Sequence, residues 1–300
     1  MNPVVAKSLK VLKWTFYILI FLGIILFLFI EFFYRYLSSE RGAFWLYDKT
    51  PRPVTLHYTE SGIRYLSIGD MDKQPLLLIH GAPGGLFDWS MLSRRESIYD
   101  QYRLLVPERP GYGGTKPKGP EPSIKKQAER LLEVLNGETQ KAVVMGHSYG
   151  APIAVVMGAL QSEKIKKVIG VSGQYDPDNE ITFKISYLFR AKFFKYLMPR
   201  ILWVSNVEKL THPQAQREVV PLYSQVEVPV LLIHGDADSL VPYENSPYLM
   251  QFLGDRGQMI TLPGYDHPLQ MQMPDYLADV VMGEVEGPPL PEGSSTQPAK

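Results

Sequence analysis

Short, unbroken apolar runs recur through the middle of the chain. They are "PLLLIHG" (75–81), "YRLLVPE" (102–108), "KAVVMG" (141–146), "IKKVIGVSG" (165–173), "VPVLLIHGD" (228–236) and "GQMITLPG" (257–264). A strand wet on one face alternates apolar with polar residues. A strand covered on both faces has no polar side to show, and such strands belong to parallel sheets. Between the runs lie helical patterns at 123–137, 149–160, 243–253 and 274–283. The first opens on Ser123 as N-cap and stops at Gly137. Strands alternating with helices predict a mostly parallel sheet with helices on both faces. Two further strands, "VTLHYTE" (54–60) and "IRYLSIG" (63–69), are joined by Ser61-Gly62, a hairpin signal. Residues 178–227 break the alternation. They hold no convincing strand and are expected to lie as a helical insertion over the C-terminal ends of the strands, where ligands bind in open α/β sheets.

One run ends on a chemically suggestive turn. "VVMGHSYGAP" (143–152) passes from strand into Gly146-His147-Ser148-Tyr149-Gly150 and then into a helix. A serine between two glycines in a strand-to-helix turn is held in a strained backbone that exposes its hydroxyl at the sheet edge. Pro152 falls in the first helical turn, where a missing N–H costs nothing. Serine needs a base, and the base an orienting acid, in the chain order Ser, Asp or Glu, His. Asp238 follows the strand "VPVLLIHGD" and His267 follows the next one. Both are expected at the same edge as Ser148, with Asp238 fixing the tautomer of His267. Asp236 and Asp176 are rival acids, while Asp266 is expected to face solvent or cap a turn. Among the other histidines, His57 and His212 lie outside the end loops, His234 ends a strand, and His147 sits inside the turn. The loop "LIHGAPGG" (78–85) offers a second oxyanion donor. Pro83 has no N–H, so the Ala82 and Tyr149 amides are the expected pair. His80 is expected to brace this loop.

The motifs "HGAPGG", "ERPGYGGT", "GHSYG", "HGDADSLVP" and "GYDH" occur in that order over residues 54–283. In this the chain resembles the α/β-hydrolase superfamily. The HG-x-P form is similar to the epoxide hydrolase and proline iminopeptidase branches. Epoxide hydrolases resemble this pattern with an aspartate nucleophile, and Ser148 argues against that activity. Glu108 stands where the family's loop usually has aspartate. The resemblance implies an α/β-hydrolase fold with a short helical cap, and a serine esterase or lipase-like hydrolase working through an acyl-enzyme. It implies no metal and no organic cofactor. Acyl transfer, an amidase or peptidase activity of the proline iminopeptidase-like branch, and a non-catalytic ligand-binding role stand as alternatives.

Composition narrows the partners. The 300 residues carry no net formal charge and no cysteine. The first gives nucleic acid no electrostatic foothold, and the second excludes disulfides and thiolate chemistry. The small-molecule substrate is expected to be a hydrophobic ester, because the insertion is rich in aromatics. Between Ile181 and Val204 it also holds Lys184, Arg190, Lys192, Lys195 and Arg200 with no acidic residue. Their lack of a clean stripe favours aromatics packed inward over the pocket and lysines facing water, over a surface resting on lipid.

The N-terminus carries its own signal. "WTFYILIFLGIILFLFI" (14–30) has no charge and, with Phe32 and Phe33, reaches the ~20 residues that cross a bilayer core. Glu31 sits near its end, and Trp14, Tyr34 and Tyr36 lie at interfacial positions. A cleaved signal would have a core of roughly 7–15 residues and a small-residue cleavage site, so an uncleaved single-pass anchor is expected. Lys7, Lys10 and Lys13 place the N-terminus in the cytoplasm and the catalytic body on the extracytoplasmic side. The domain plan is then a stub and transmembrane anchor (1–36), a connector (37–53), a core (54–177 and 228–286), a cap (178–227) and a disordered tail (287–300).

Overall fold

A computed structural model describes residues 3–284; the tail expected at 287–300 lies outside them. Helix α1 (Pro3–Leu37) is followed at once by α2 (Glu40–Leu46), capped by the Ser39 hydroxyl, which accepts from the Gly42 N–H at 3.0 Å. The connector is therefore partly helical rather than a plain linker. Its local signal, a serine N-cap before a short apolar stretch, is weak in a segment of seven residues.

Eight strands form one sheet: β1 (Val54–Tyr58), β2 (Arg64–Ile68), β3 (Gln74–Ile79), β4 (Tyr102–Pro107), β5 (Ala142–His147), β6 (Ile165–Val171), β7 (Val230–Gly235) and β8 (Gly257–Leu262). Their spatial order is β1-β2-β4-β3-β5-β6-β7-β8. The β1–β2 and β2–β4 pairs are antiparallel and the rest parallel. The predicted strands stand within a few residues of their expected bounds. Helices α3 (Ile124–Leu132), α4 (Gly150–Leu160), α7 (Asn245–Leu253), α8 (Leu269–Gln272) and α9 (Pro274–Met282) complete the body.

The continuous apolar runs are explained by two cores, one on each face. In β3, Leu77 and Ile79 join the cluster with α3 and α4, while Leu76 and Leu78 join the cluster with Trp89 and α9. In β5, Val144 goes to the first and Val143 and Met145 to the second. Successive side chains point to opposite faces, so both parities must be apolar. Truncating one of these leucines to alanine is expected to cost about 2–5 kcal/mol.

The insertion contains α5 (Lys184–Leu188), a 3₁₀ turn (Lys192–Tyr196) and the long α6 (Arg200–Tyr223). One expectation fails here. The cap aromatics are not all turned inward: Phe193 is 64% and Tyr196 75% exposed, and Tyr187 is also on the surface. A five-residue helix and a five-residue 3₁₀ turn are too small to shelter all four of their aromatics, Tyr187, Phe193, Phe194 and Tyr196, on one side. Those with no room beneath them stay outside.

The described residues contain one helix long and apolar enough to cross a membrane, Lys7–Leu37, with none of its apolar window buried in the protein. Its C-terminal end is clamped to the body. The Tyr34 hydroxyl accepts from the Gly113 N–H at 2.7 Å, and Glu31 accepts from the Arg200 backbone N–H at 3.0 Å. Arg64 donates to the Ser38 carbonyl at 2.6 Å.

Candidate active site

The chain order changes direction around β3. The oxyanion-loop candidate follows β3 and the Ser148 turn follows its parallel neighbour β5. Both loops therefore leave the sheet side by side at its C-terminal edge, the crevice where α/β sheets bind ligands. Their approach is close: a Cβ on Gly81 would sit 3.1 Å from Ser148 Cβ. Ser148 has φ +53°, a strained conformation for a non-glycine residue. The flanking glycines are sterically required. A Cβ on Gly146 would meet the Gly150 carbonyl at 2.2 Å, and one on Gly150 the Ile79 carbonyl at 2.5 Å.

Asp238 and His267 meet across the β7 and β8 loops. His267 Nδ1 lies 2.8 Å from Asp238 Oδ2. Asp238 Oδ1 accepts from the Leu240 and Val241 N–H groups at 2.9 and 2.8 Å. Burial alone would raise the Asp238 pKa. Hydrogen bonds from His234, His267 and the Val241 amide, with the His267 charge, outweigh it and hold the carboxyl well below its usual range. Among the described residues no hydrogen bond joins the Ser148 hydroxyl to His267, although both line one pocket. Such bonds are often long before substrate binds.

The rival acids are engaged elsewhere. Asp236 accepts from the Gly264 N–H at 2.6 Å, and Asp176 from the Asp178 N–H at 2.9 Å. Asp266 caps a turn, accepting from the Ser239 and His267 N–H groups at 2.8 Å each. His57 lies on the outer strand β1 beside Thr55. His147 Nε2 lies 3.3 Å from the His267 carbonyl, and burial followed by the His267 charge lowers its pKa to about 3.

Several contributors were not visible in the sequence. His234 Nε2 lies 3.2 Å from Asp238 Oδ2, so the acid sits between two imidazoles. Its Nδ1 is 2.7 Å from the Ser246 hydroxyl, which fixes the ring. His212, expected outside the end loops, stands on α6 with its ring 5.0 Å from that of Tyr149 and Nδ1 2.5 Å from Glu180. The larger omission is Arg109. It donates through Nε to the His80 carbonyl at 2.9 Å and through Nη2 to the Gly81 carbonyl at 2.8 Å. Its N–H also donates to His80 Nε2 at 3.0 Å, and His80 Nδ1 then donates to the Gly81 carbonyl at 2.8 Å. His80 thus braces the loop. Arg109 is in turn gripped by Glu208 of α6, with contacts of 2.7 and 3.1 Å, and by Gln127 of α3 at 2.8 Å. From the other side the Gly81 N–H donates to Asp88 Oδ2 at 3.1 Å. Burial lifts the Asp88 pKa to about 7 against that bond and the Arg109 charge.

The departure at Glu108 also has a structural role. Its carboxylate takes Arg64 bidentately at 2.7 and 2.6 Å and the Gly114 N–H at 2.6 Å. The side chain braces the loop after β4 and does not line the pocket that Ser148 lines.

That pocket encloses about 490 Å³. Ala82, Ser148, Tyr149 and His267 form one side, and Phe183, Ile185, Phe189, Met198 and Leu202 of the cap form the other. A family model described as the alpha/beta hydrolase family matches residues 76–280. The chain belongs to the alpha/beta hydrolase family. Lipase 1 of Psychrobacter immobilis is 22% identical over 251 residues, covering 72% of this chain and 78% of that protein. The alpha/beta hydrolase fold recurs in two solved structures. Naproxen esterase of Bacillus subtilis has 18% identity and a TM-score of 0.60, covering 83% of this chain and 96% of that one. A bacterial membrane phospholipase A has 18% identity and a TM-score of 0.59, covering 94% and 97%. At such identities these structures speak for the fold alone.

Proposed function

We propose that this alpha/beta hydrolase is a membrane-anchored serine esterase that cleaves hydrophobic carboxylic esters through an acyl-enzyme on Ser148. The observation that carries the reading is the 2.8 Å pair of His267 and Asp238 beside a serine held at φ +53° in one apolar pocket. In it, His267 Nε2 takes the proton from Ser148 Oγ as that oxygen attacks the ester carbonyl. The Ala82 and Tyr149 N–H groups receive the negative charge formed on the carbonyl oxygen. The intermediate collapses, the C–O bond to the alcohol breaks, and His267 gives the leaving oxygen its proton. Water, deprotonated by the same imidazole, then releases the acid and restores Ser148. Asp238 orients the ring and balances the imidazolium.

The similarity to a lipase over most of both chains supports an ester substrate, and the apolar cap supports a long acyl group. The unburied apolar length of α1 supports the anchor. Lys7, Lys10 and Lys13 support a cytoplasmic N-terminus, with the body on the other side. The domain plan is retained, with the insertion at 178–227 as the cap. A fluorophosphonate probe is expected to label the folded chain and to leave Ser148→Ala unlabelled. Equal labelling of both would remove Ser148 from the chemistry. A panel of p-nitrophenyl esters is expected to show turnover rising from acetate toward longer acyl groups.

A further inference from the structure

A second cavity lies outside the catalytic pocket, between the anchor helix and the cap, and encloses about 770 Å³. Phe27, Leu28 and Phe32 of α1 form one wall; Tyr196 and Trp203 of the cap form the other. Its rim carries Arg35, Lys118 and Lys195. The carboxylate at the rim, Glu31, is already engaged by Arg35 at 2.7 Å and by the Arg200 N–H at 3.0 Å. Lys118 donates to the Gly113 carbonyl at 2.8 Å, and Lys195 lies 5.7 Å from the Tyr196 ring centre. Among the described residues neither lysine has a carboxylate partner. Met198 lines this groove and the catalytic pocket alike.

We propose that this groove is a lipid-docking site: it takes an anionic phospholipid from the leaflet that holds α1 and passes its acyl ester by Met198 to Ser148. The inference rests on the anchored-esterase reading and adds the substrate class and the route. Three observations carry it. The groove is walled by the membrane-spanning candidate itself, so bilayer lipid is its immediate neighbour. Its chemistry is amphipathic, with an aromatic and aliphatic wall for acyl chains and unneutralised lysines for a phosphate. Beside it the cap exposes Phe193, Tyr196 and Leu197, with Lys195 among them. An exposed apolar and basic segment next to a membrane span suits an interface with anionic headgroups. Met198 shares the catalytic pocket with Phe189, Leu202 and Ser148.

The test uses the full chain carrying Ser148→Ala, in nanodiscs of phosphatidylglycerol or phosphatidylcholine with brominated acyl chains. Quenching of Trp203 is read as the difference from the same chain with Trp203→Phe. Phosphatidylglycerol is expected to quench Trp203 more than phosphatidylcholine, and K118E/K195E to abolish that preference. Each lysine near an anionic headgroup is worth about fivefold in affinity. In the active chain, the ratio of phosphatidylglycerol to p-nitrophenyl butyrate hydrolysis is expected to fall more than about tenfold in K118E/K195E. No quenching of Trp203 by either lipid, or a ratio unmoved by charge reversal, overturns the groove as a lipid site. Failure to cleave p-nitrophenyl butyrate at all instead overturns the esterase reading, and the quenching in Ser148→Ala still reads the groove alone. A chain that does not stay with the nanodiscs overturns the anchor, and the groove with it.

Discussion

Replacing Glu208 with alanine should damage both stability and catalysis, for separable reasons. Glu208 and Arg109 are both fully buried, and their pair joins cap helix α6 to the loop after β4, from which Arg109 holds the carbonyls of the loop after β3. Glu208 also accepts from the Tyr112 hydroxyl at 2.6 Å and from Gln127 Nε2 at 3.0 Å. Removing the carboxylate leaves a guanidinium in a dry site with carbonyls and one amide oxygen to face. Breaking one side of a buried pair costs about 3–5 kcal/mol. At about 2–4 °C per kcal/mol, that is a fall in the melting midpoint on the order of 10 °C. A double replacement, R109M/E208L, removes both charges and keeps apolar volume, which is often neutral or stabilising. It should recover most of the lost stability. It should not recover activity, because the His80 and Gly81 carbonyls lose the donors that set the plane of the Gly81-Ala82 peptide. We expect kcat for a soluble ester to stay about 10–100-fold down in the double variant. The measurements are thermal or urea unfolding of the detergent-solubilised chain and p-nitrophenyl butyrate turnover on the same samples. Wild-type stability in Glu208→Ala, or full activity in R109M/E208L, would refute the reasoning.

Two further predictions follow from the same neighbourhood. In His234→Phe, Asp238 keeps its backbone donors and His267 but loses the second imidazole; kcat should fall about tenfold or more by loss of a charge-assisted hydrogen bond, and Ser246→Ala should show a smaller loss in the same assay. Asp88 has a folded pKa of about 7 against an ordinary 3.8, a raised value, so its contribution to stability is fully present below about 3.8 and is lost as pH rises through about 7. Asp88→Asn should remove that loss, so unfolding curves of the two chains should differ most above pH 7, by about 4 kcal/mol at the outer limit; parallel curves from pH 4 to 8 would refute it.

The sheet was legible because its signals are local. Short apolar runs with no parity, such as "PLLLIHG", suit strands covered twice when Gly or Pro bounds them within a few residues, and glycines at their ends mark where the chain leaves the sheet. The triad candidates were legible because their chain order is fixed by the strands that carry them, and the structure brings Asp238 rather than Asp236 to His267. What stayed hidden is long-range. Arg109 and Glu208 are 99 residues apart, and neither stands in a pattern that names the other. His234 is the local exception: it is four residues from Asp238 and read as a strand end because the turn that folds Asp238 back onto it has no period to signal it. The direction of the cap aromatics was misread because composition reports how many apolar side chains there are, not how much surface lies ready to cover them.

The clamps at Glu31, Tyr34 and Ser38 have a mechanical meaning. Only Ser38 and Ser39 separate α1 from α2, and the three bonds would make helix and body turn as one piece. The apolar run 14–33 of α1 is roughly 30 Å long at about 1.5 Å per residue, close to the thickness of a hydrocarbon core of about 30 Å. As the proposed anchor, such a helix would lean in a bilayer thinner than its apolar run and stand more upright as the bilayer thickens. With the joint stiff, the lean of the helix sets the height and heading of the catalytic mouth above the headgroups. With α1 as the proposed anchor, bilayer thickness would become a control on which way the enzyme faces, and a depth-sensitive probe at Tyr196 would register it as a shift between thin and thick membranes.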